Sequence, residues 1–70
     1  MNRYLLKDFI TDYEVESKFK EVHLIIDGRL GKMPLSAYKA TKPEILNYEV
    51  RDWSHGSESI AIIIGSDVEN

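Results

Sequence analysis

Apolar positions change their spacing several times along this chain, and each change marks a new element. Leu6, Phe9, Ile10 and Tyr13 recur at helical intervals with Lys7, Asp8 and Asp12 between them. That pattern predicts an amphipathic helix over about Arg3 to Tyr13 with one apolar stripe. From Phe19 to Asp27 the bulky or β-branched residues Phe19, Val22, Leu24, Ile25 and Ile26 run straight into Asp27-Gly28, which predicts a strand ending at a turn. Asp-Gly suits a tight type I′ hairpin, since both central residues need positive φ, while Gly31 offers a bulge or longer loop instead. The returning strand is expected from Leu30 to about Tyr38. Pro34 lacks a ladder donor, so that strand should lie at a sheet edge or be interrupted there.

Thr41-Lys42-Pro43-Glu44 reads as a capping box: the Thr41 hydroxyl accepts from the Glu44 amide, the Glu44 carboxylate reaches back, and Pro43 suits a first helical turn. A short helix over Lys42 to Asn47 should follow, with Ile45 and Leu46 as its packing residues. Tyr48 to Trp53 then alternates as a strand, Ser54 to Ser59 is a polar turn, and Ile60-Ala61-Ile62-Ile63-Ile64 is the strongest β segment. The order α-β-β-α-β-β predicts an α+β domain with a four-stranded, mainly antiparallel sheet made of two hairpins. Residues 1–65 should form this single domain, with 66–70 as a flexible acidic tail and fraying from Gly65 onward.

The same alternation exposes a shortage of cover. Val22, Leu24 and Ile26 share one strand face, and His23 and Ile25 point away from them. Ile60, Ile62 and Ile64 take one side of the last strand, Ala61 and Ile63 the other. One helical stripe and a second helix of barely two turns cover one sheet face. His23, Ile25, Ala61 and Ile63, with Tyr48 and Trp53, are therefore the candidate residues of a second, uncovered surface of the kind that marks a protein interface. Alternatively the sheet curls, and Ser17 to Lys20 or Met33-Pro34-Leu35 folds over that side. Trp53, the single Trp, reads either as a binding anchor or as a closure for one end of the core.

Composition adds bounds. Leu, Ile, Val and Phe supply 20 of the 70 residues, above the level of roughly 20% at which chains remain disordered. Cys is absent, which removes disulfides and thiolate chemistry. The start of the sequence has only two consecutive apolar residues, Leu5 and Leu6, before charges resume, so no signal-peptide core is expected and cytoplasmic residence follows as the default. No apolar run approaches the roughly 20 residues of a membrane-crossing helix, so no membrane partner is expected.

Chemical motifs are sparse. His23 and His55 are the only histidines and show neither HxH nor HExxH spacing, so no metal site is expected. His23 reads as a residue of the less buried sheet face and His55 as a turn residue. Ser54 beside His55 does not make a base-nucleophile pair, because such a pair needs an orienting acid and an oxyanion hole converging in space. The carboxylates Asp12, Glu14 and Glu16 would need a pocket that raises one pKa. The glycines match no nucleotide-binding pattern. The expectation is a protein without catalytic residues and without a cofactor.

Charge says more. The chain carries a net −3, a weak basis for non-specific nucleic-acid binding. Yet Arg29 to Pro43 holds Arg29, Lys32, Lys39 and Lys42 and no acid, with Met33, Leu35 and Tyr38 interleaved, and Asp52 to Asn70 holds acids and neither Lys nor Arg. Arg29, Lys32, Lys39 and Lys42, with Tyr38 as a stacking face, are candidate contacts for an anionic partner, nucleic acid included. The opposing reading is an edge strand guarded by lysines against self-pairing.

The segments Leu5 to Ile10, Val22-His23-Leu24-Ile25-Ile26-Asp27-Gly28, Glu44-Ile45-Leu46-Asn47-Tyr48-Glu49-Val50 and Ile60 to Ile64 together resemble small uncharacterised accessory proteins of bacteriophages and prophages. The resemblance spans Leu5 to Ile64 and implies a phage setting, in which proteins of this size bind and divert host machinery. The expected function is accordingly a non-enzymatic protein-binding module. It would inhibit or redirect a host protein, such as a defence complex, in the host cytoplasm, either alone or as a homodimer. A nucleic-acid-associated role for the basic segment is the alternative.

Overall fold

The most apolar stretch of the chain takes the middle of a sheet. The computed structural model describes residues 3–66, and its strands are β1 (Glu21–Ile26), β2 (Arg29–Leu30), β3 (Glu49–His55) and β4 (Ser59–Gly65). They lie in the order β2-β1-β4-β3. β1 and β2 pair antiparallel, as do β3 and β4, so the two expected hairpins form. The hairpins join through β1 and β4, which run parallel with Val22 beside Ile60, Leu24 beside Ile62 and Ile26 beside Ile64. Strands that are apolar on both sides shed the most water in interior positions, which accounts for the central place of these two. The result is a small α+β fold with an open mixed sheet.

Asp27 and Gly28 make the first turn with φ of 52° and 85°. Both angles are positive, as a type I′ turn demands, and Asp is among the few non-glycine residues that tolerate that region. The second hairpin is closed by the Gly56 amide donating to the Ser59 carbonyl at 2.9 Å.

The helices differ from the sequence expectation at their ends. α1 covers Leu6–Asp12 and not Arg3 to Tyr13. Residues 3–5 are extended instead, because the Val50 amide donates to the Tyr4 carbonyl and the Leu6 amide to the Tyr48 carbonyl, at 2.7 and 2.9 Å. Edge pairing thus satisfies backbone groups that an early helix would leave without partners. Glu14 breaks the helix with φ of 50°, and α2 (Val15–Lys18) adds one more turn that buries Val15.

The expected strand from Leu30 to Tyr38 is overturned. Only Arg29 and Leu30 pair with β1, and α3 (Leu35–Thr41) follows with Pro34 at its N-cap. Pro34 cannot donate to a ladder but sits well at a helix start. Leu35 and Tyr38, three residues apart, then bury on one helical face. The Thr41-Glu44 capping box is also absent: Thr41 closes α3, and its hydroxyl donates to the Ala37 carbonyl at 2.7 Å. The expected short helix is a 3-10 helix, Pro43–Asn47, that buries Ile45. Of the expected tail, Gly65 closes β4. Ser66 is clasped to Asp27 through its amide and hydroxyl at 2.9 and 2.6 Å. Residues 67–70 lie outside the described residues.

The helices all stand on one side of the sheet. Leu6, Phe9, Ile10, Val15, Leu35, Tyr38 and Ile45 pack there against Leu24, Ile60, Ile62 and Ile64. Gly31 sits where the chain leaves β2, its amide donating to the Leu24 carbonyl at 2.7 Å. A Cβ at that position would strike the Tyr38 hydroxyl and approach the Leu24 carbonyl at 3.1 Å, whereas a Cβ on Gly56 meets nothing. Gly31→Ala should therefore lower stability by about 1–3 kcal/mol in urea unfolding. Gly56→Ala should stay within about 0.5 kcal/mol of the parent.

Candidate protein interface

Strand register decides which side chains meet. The buried residues Leu24, Ile60, Ile62 and Ile64 point to the helices, so their neighbours in the alternation point the other way. His23 lies beside Ala61 and Ile25 beside Ile63 across the parallel pair. Leu30 stands opposite Ile25, Asp52 opposite Ile63 and Ser54 opposite Ala61. Ile25, Ala61 and Ile63 are half-buried, and Leu30 is 65% exposed. Among the described residues every helix packs on the opposite face. The two segments considered as cover join the helical side instead: Phe19 and Leu35 both pack into its core.

Four of the six expected interface residues thus share one open face: His23, Ile25, Ala61 and Ile63. Tyr48 and Trp53 are not among them. Tyr48 precedes β3 and packs against the helical-face core. Trp53 pairs with Ile62 and lies edge-on against Phe9, with ring centroids 5.0 Å apart, and beside Tyr13 at 5.6 Å. The cause is a register shift in β3 between Val50 and Asp52, which places Arg51 as an extra residue. Beyond such a bulge the alternation inverts, so Trp53 and His55 turn toward the helices and Asp52 and Ser54 face outward. Trp53 caps the end of the core while remaining 38% exposed. Leu30 was missed from the site, although a two-residue turn at Asp27-Gly28 fixes it opposite Ile25.

The face has an apolar centre and a polar border. His23 Nε2 lies 3.6 Å from Glu21, and Arg51 Nε lies 3.5 Å from Glu49. The Asp52 carboxylate accepts from the Trp53 amide at 2.8 Å.

The five residues proposed for anionic contact divide. Arg29, Lys32 and Lys42 line one concavity of about 650 Å³ at the β2 edge. Lys39 is drawn elsewhere by Glu16, at 3.0 Å. Tyr38 is only 7% exposed, and its hydroxyl accepts from the Lys32 amide at 3.1 Å. Its ring offers no stacking face.

Among the described residues, no group of three His, Asp or Glu side chains gathers closely enough to hold a metal ion. No helix among them is long and apolar enough to cross a membrane. The chain matches no protein-family model, no curated protein and no solved structure.

Tyr4 lies edge-on against Phe9, with ring centroids 5.7 Å apart, and its hydroxyl donates to Asp12 Oδ2 at 2.8 Å. Removal from water against the core and this bond to a carboxylate push the Tyr4 phenol up to about 12. A raised pKa means that folding favours the protonated form. This contribution is complete below the unfolded value of about 10 and is lost as pH rises through about 12. Ultraviolet titration should show a tyrosine ionising at about pH 12. Tyr4→Phe should delete that step, and Asp12→Asn should move it toward the ordinary value.

Proposed function

We propose that this chain is a non-enzymatic protein-binding module whose bare sheet face is buried by a different protein. The observation that carries the proposal is the Ile25-Ile63 pair: two β-branched side chains in register at the centre of a parallel strand pair, with every helix on the other side. Parallel strands are ordinarily covered on both faces. Water on one of them marks cover that this chain does not supply from its described residues.

Area argues for a different protein over a second copy. Three strands of six or seven residues and the two-residue β2, about 4.8 Å apart and about 3.3 Å per residue, present a face of roughly 350 Å². Stable interfaces bury about 800 Å² on each partner, so two such faces pressed together fall short by more than half. A partner that reaches past the face onto the strand edges makes up the difference. The mechanism is steric: an apolar centre around Ile25 and Ile63 seats the partner, and Glu21, His23, Asp52 and Ser54 set its orientation as a polar rim. The sequence resemblance to phage and prophage accessory proteins supports a host protein as the one occupied, as an inhibitor or diverter would do. Among the basic residues, three cations without an exposed aromatic support anion contact better than base stacking.

Ile63→Asp places a charge at the centre of this face while leaving the helical side untouched. The variant should keep the parent's circular dichroism and unfold cooperatively. It should bind the partner recovered with the parent at least about tenfold more weakly, about 1.4 kcal/mol. Lys18→Glu, on α2, should bind as the parent does. Unchanged binding by a folded Ile63→Asp would remove this face from the reaction. A dimeric mass of the parent in light scattering, lost in the variant, would replace the foreign partner with a second copy.

A further inference from the structure

The outer edge of the sheet adjoins the open face at Leu30 and His23 but does not include Ile25, Ala61 or Ile63. β2 ends after two residues, so β1 loses its neighbour halfway along its length. The Leu24 carbonyl points to that side, where it accepts from the Gly31 amide. By strand alternation the Val22 N–H and C=O point the same way, and among the described residues no strand stands opposite them. Two concavities run along this edge and meet at Gly31, Lys32 and Met33, with volumes of about 650 and 280 Å³.

Cations outnumber carboxylates along the edge. Arg29, Lys32 and Lys42 border the larger concavity, and Lys20 and Lys32 border the smaller, with Glu21 as its one carboxylate. Arg29, Lys32 and Lys42 form no ion pair among the described residues, while Lys20 only approaches Glu58, at 3.9 Å with both side chains well exposed. The one carboxylate in the larger concavity, Asp27, already accepts two bonds from Ser66. Those bonds hold its pKa below the usual carboxylate range, so it stays an anion engaged with Ser66. Met33, 37% exposed, adds an apolar contact at the junction.

We infer that an acidic, extended polypeptide segment docks along this edge, adding a short strand to β1 at Val22 and setting its carboxylates against Arg29, Lys32 and Lys42. Unpaired backbone groups are matched by another main chain, which is the mode of strand addition. Nucleic acid would use the cations but not the Val22 amide, and the buried Tyr38 gives its bases nothing to stack on. β2 already pairs with Ile25 and Ile26 and Gly31 with Leu24, so the added strand covers about 10 Å over Glu21 to His23, and the rest of the segment runs past Lys32 toward Arg29 and Lys42.

The probe is a dye-labelled peptide of alternating Glu and Leu, compared with an oligothymidylate of equal charge. The peptide should raise the anisotropy signal at low salt, bind more weakly as salt is added, and slow exchange of the Val22 amide proton by about tenfold or more. Arg29→Glu combined with Lys42→Glu should weaken binding at least about tenfold, and Arg29→Gln alone should weaken it less. Ile63→Asp, on the other face, should bind the peptide as the parent does, so this result is independent of the open-face partner. The inference is overturned if the peptide does not bind, if the double reversal leaves its affinity unchanged, or if oligothymidylate binds more tightly while Val22 exchanges freely.

Discussion

Everything in this fold depends on the parallel pairing of β1 with β4. Those two strands come from opposite ends of the chain, and their register sets Leu24, Ile60, Ile62 and Ile64 on a single plane for the helices to cover. A parallel connection needs a long crossover, and here it consumes β2, α3, the 3-10 helix and β3. α3 and the 3-10 helix fold back during that crossover and bury Leu35, Tyr38 and Ile45 on the face that α1 and α2 also cover. The described residues build one layer against this sheet and leave its second side open.

The parts of the fold that were legible in the sequence are those where local chemistry and packing agree. Asp27-Gly28 announced its turn because few other residue pairs accept two positive φ angles. Ile60 to Ile64 announced a strand because the run is wholly apolar and mostly β-branched, and only the structure places it at the centre of the sheet. The segment after Leu30 misled because Pro34 admits two readings, an edge strand or a helix start, and Leu35 and Tyr38 decide only once a core exists to receive them. The capping box failed for a similar reason: Thr41 found the Ala37 carbonyl behind it before the Glu44 amide ahead. Four residues of the open face followed from simple alternation. Tyr48 did not, because it precedes β3 and packs with Val50 on the helical side; Trp53 did not, since a bulge is invisible in the spacing of side chains when Val50, Trp53 and His55 are all residues that fit a strand.

The two edges of the sheet are treated differently. On the β3 side, Tyr4 and Leu5 lie against the start of the strand, the Arg51 bulge interrupts it, and Asp52 occupies the Trp53 amide. Each of these is a familiar way of discouraging strand addition. On the β2 side the hairpin is too short to cover β1, and what guards the gap is charge, with Lys20, Arg29, Lys32 and Lys42 outweighing Glu21. A guard made of charge repels other cations and admits anions, so protection and selectivity there are one property.

The bulge at Arg51 also has a consequence for how this molecule can change over time. By rotating the outer half of β3, it separates residues that hold the core from residues that meet solvent: Trp53 supports Phe9, while Asp52 and Ser54 border the open face and touch no part of the hydrophobic interior. Replacements at those two border positions can alter which surfaces the protein recognises without drawing on its folding stability. Specificity and foldedness are thereby placed under separate selection within a single short strand.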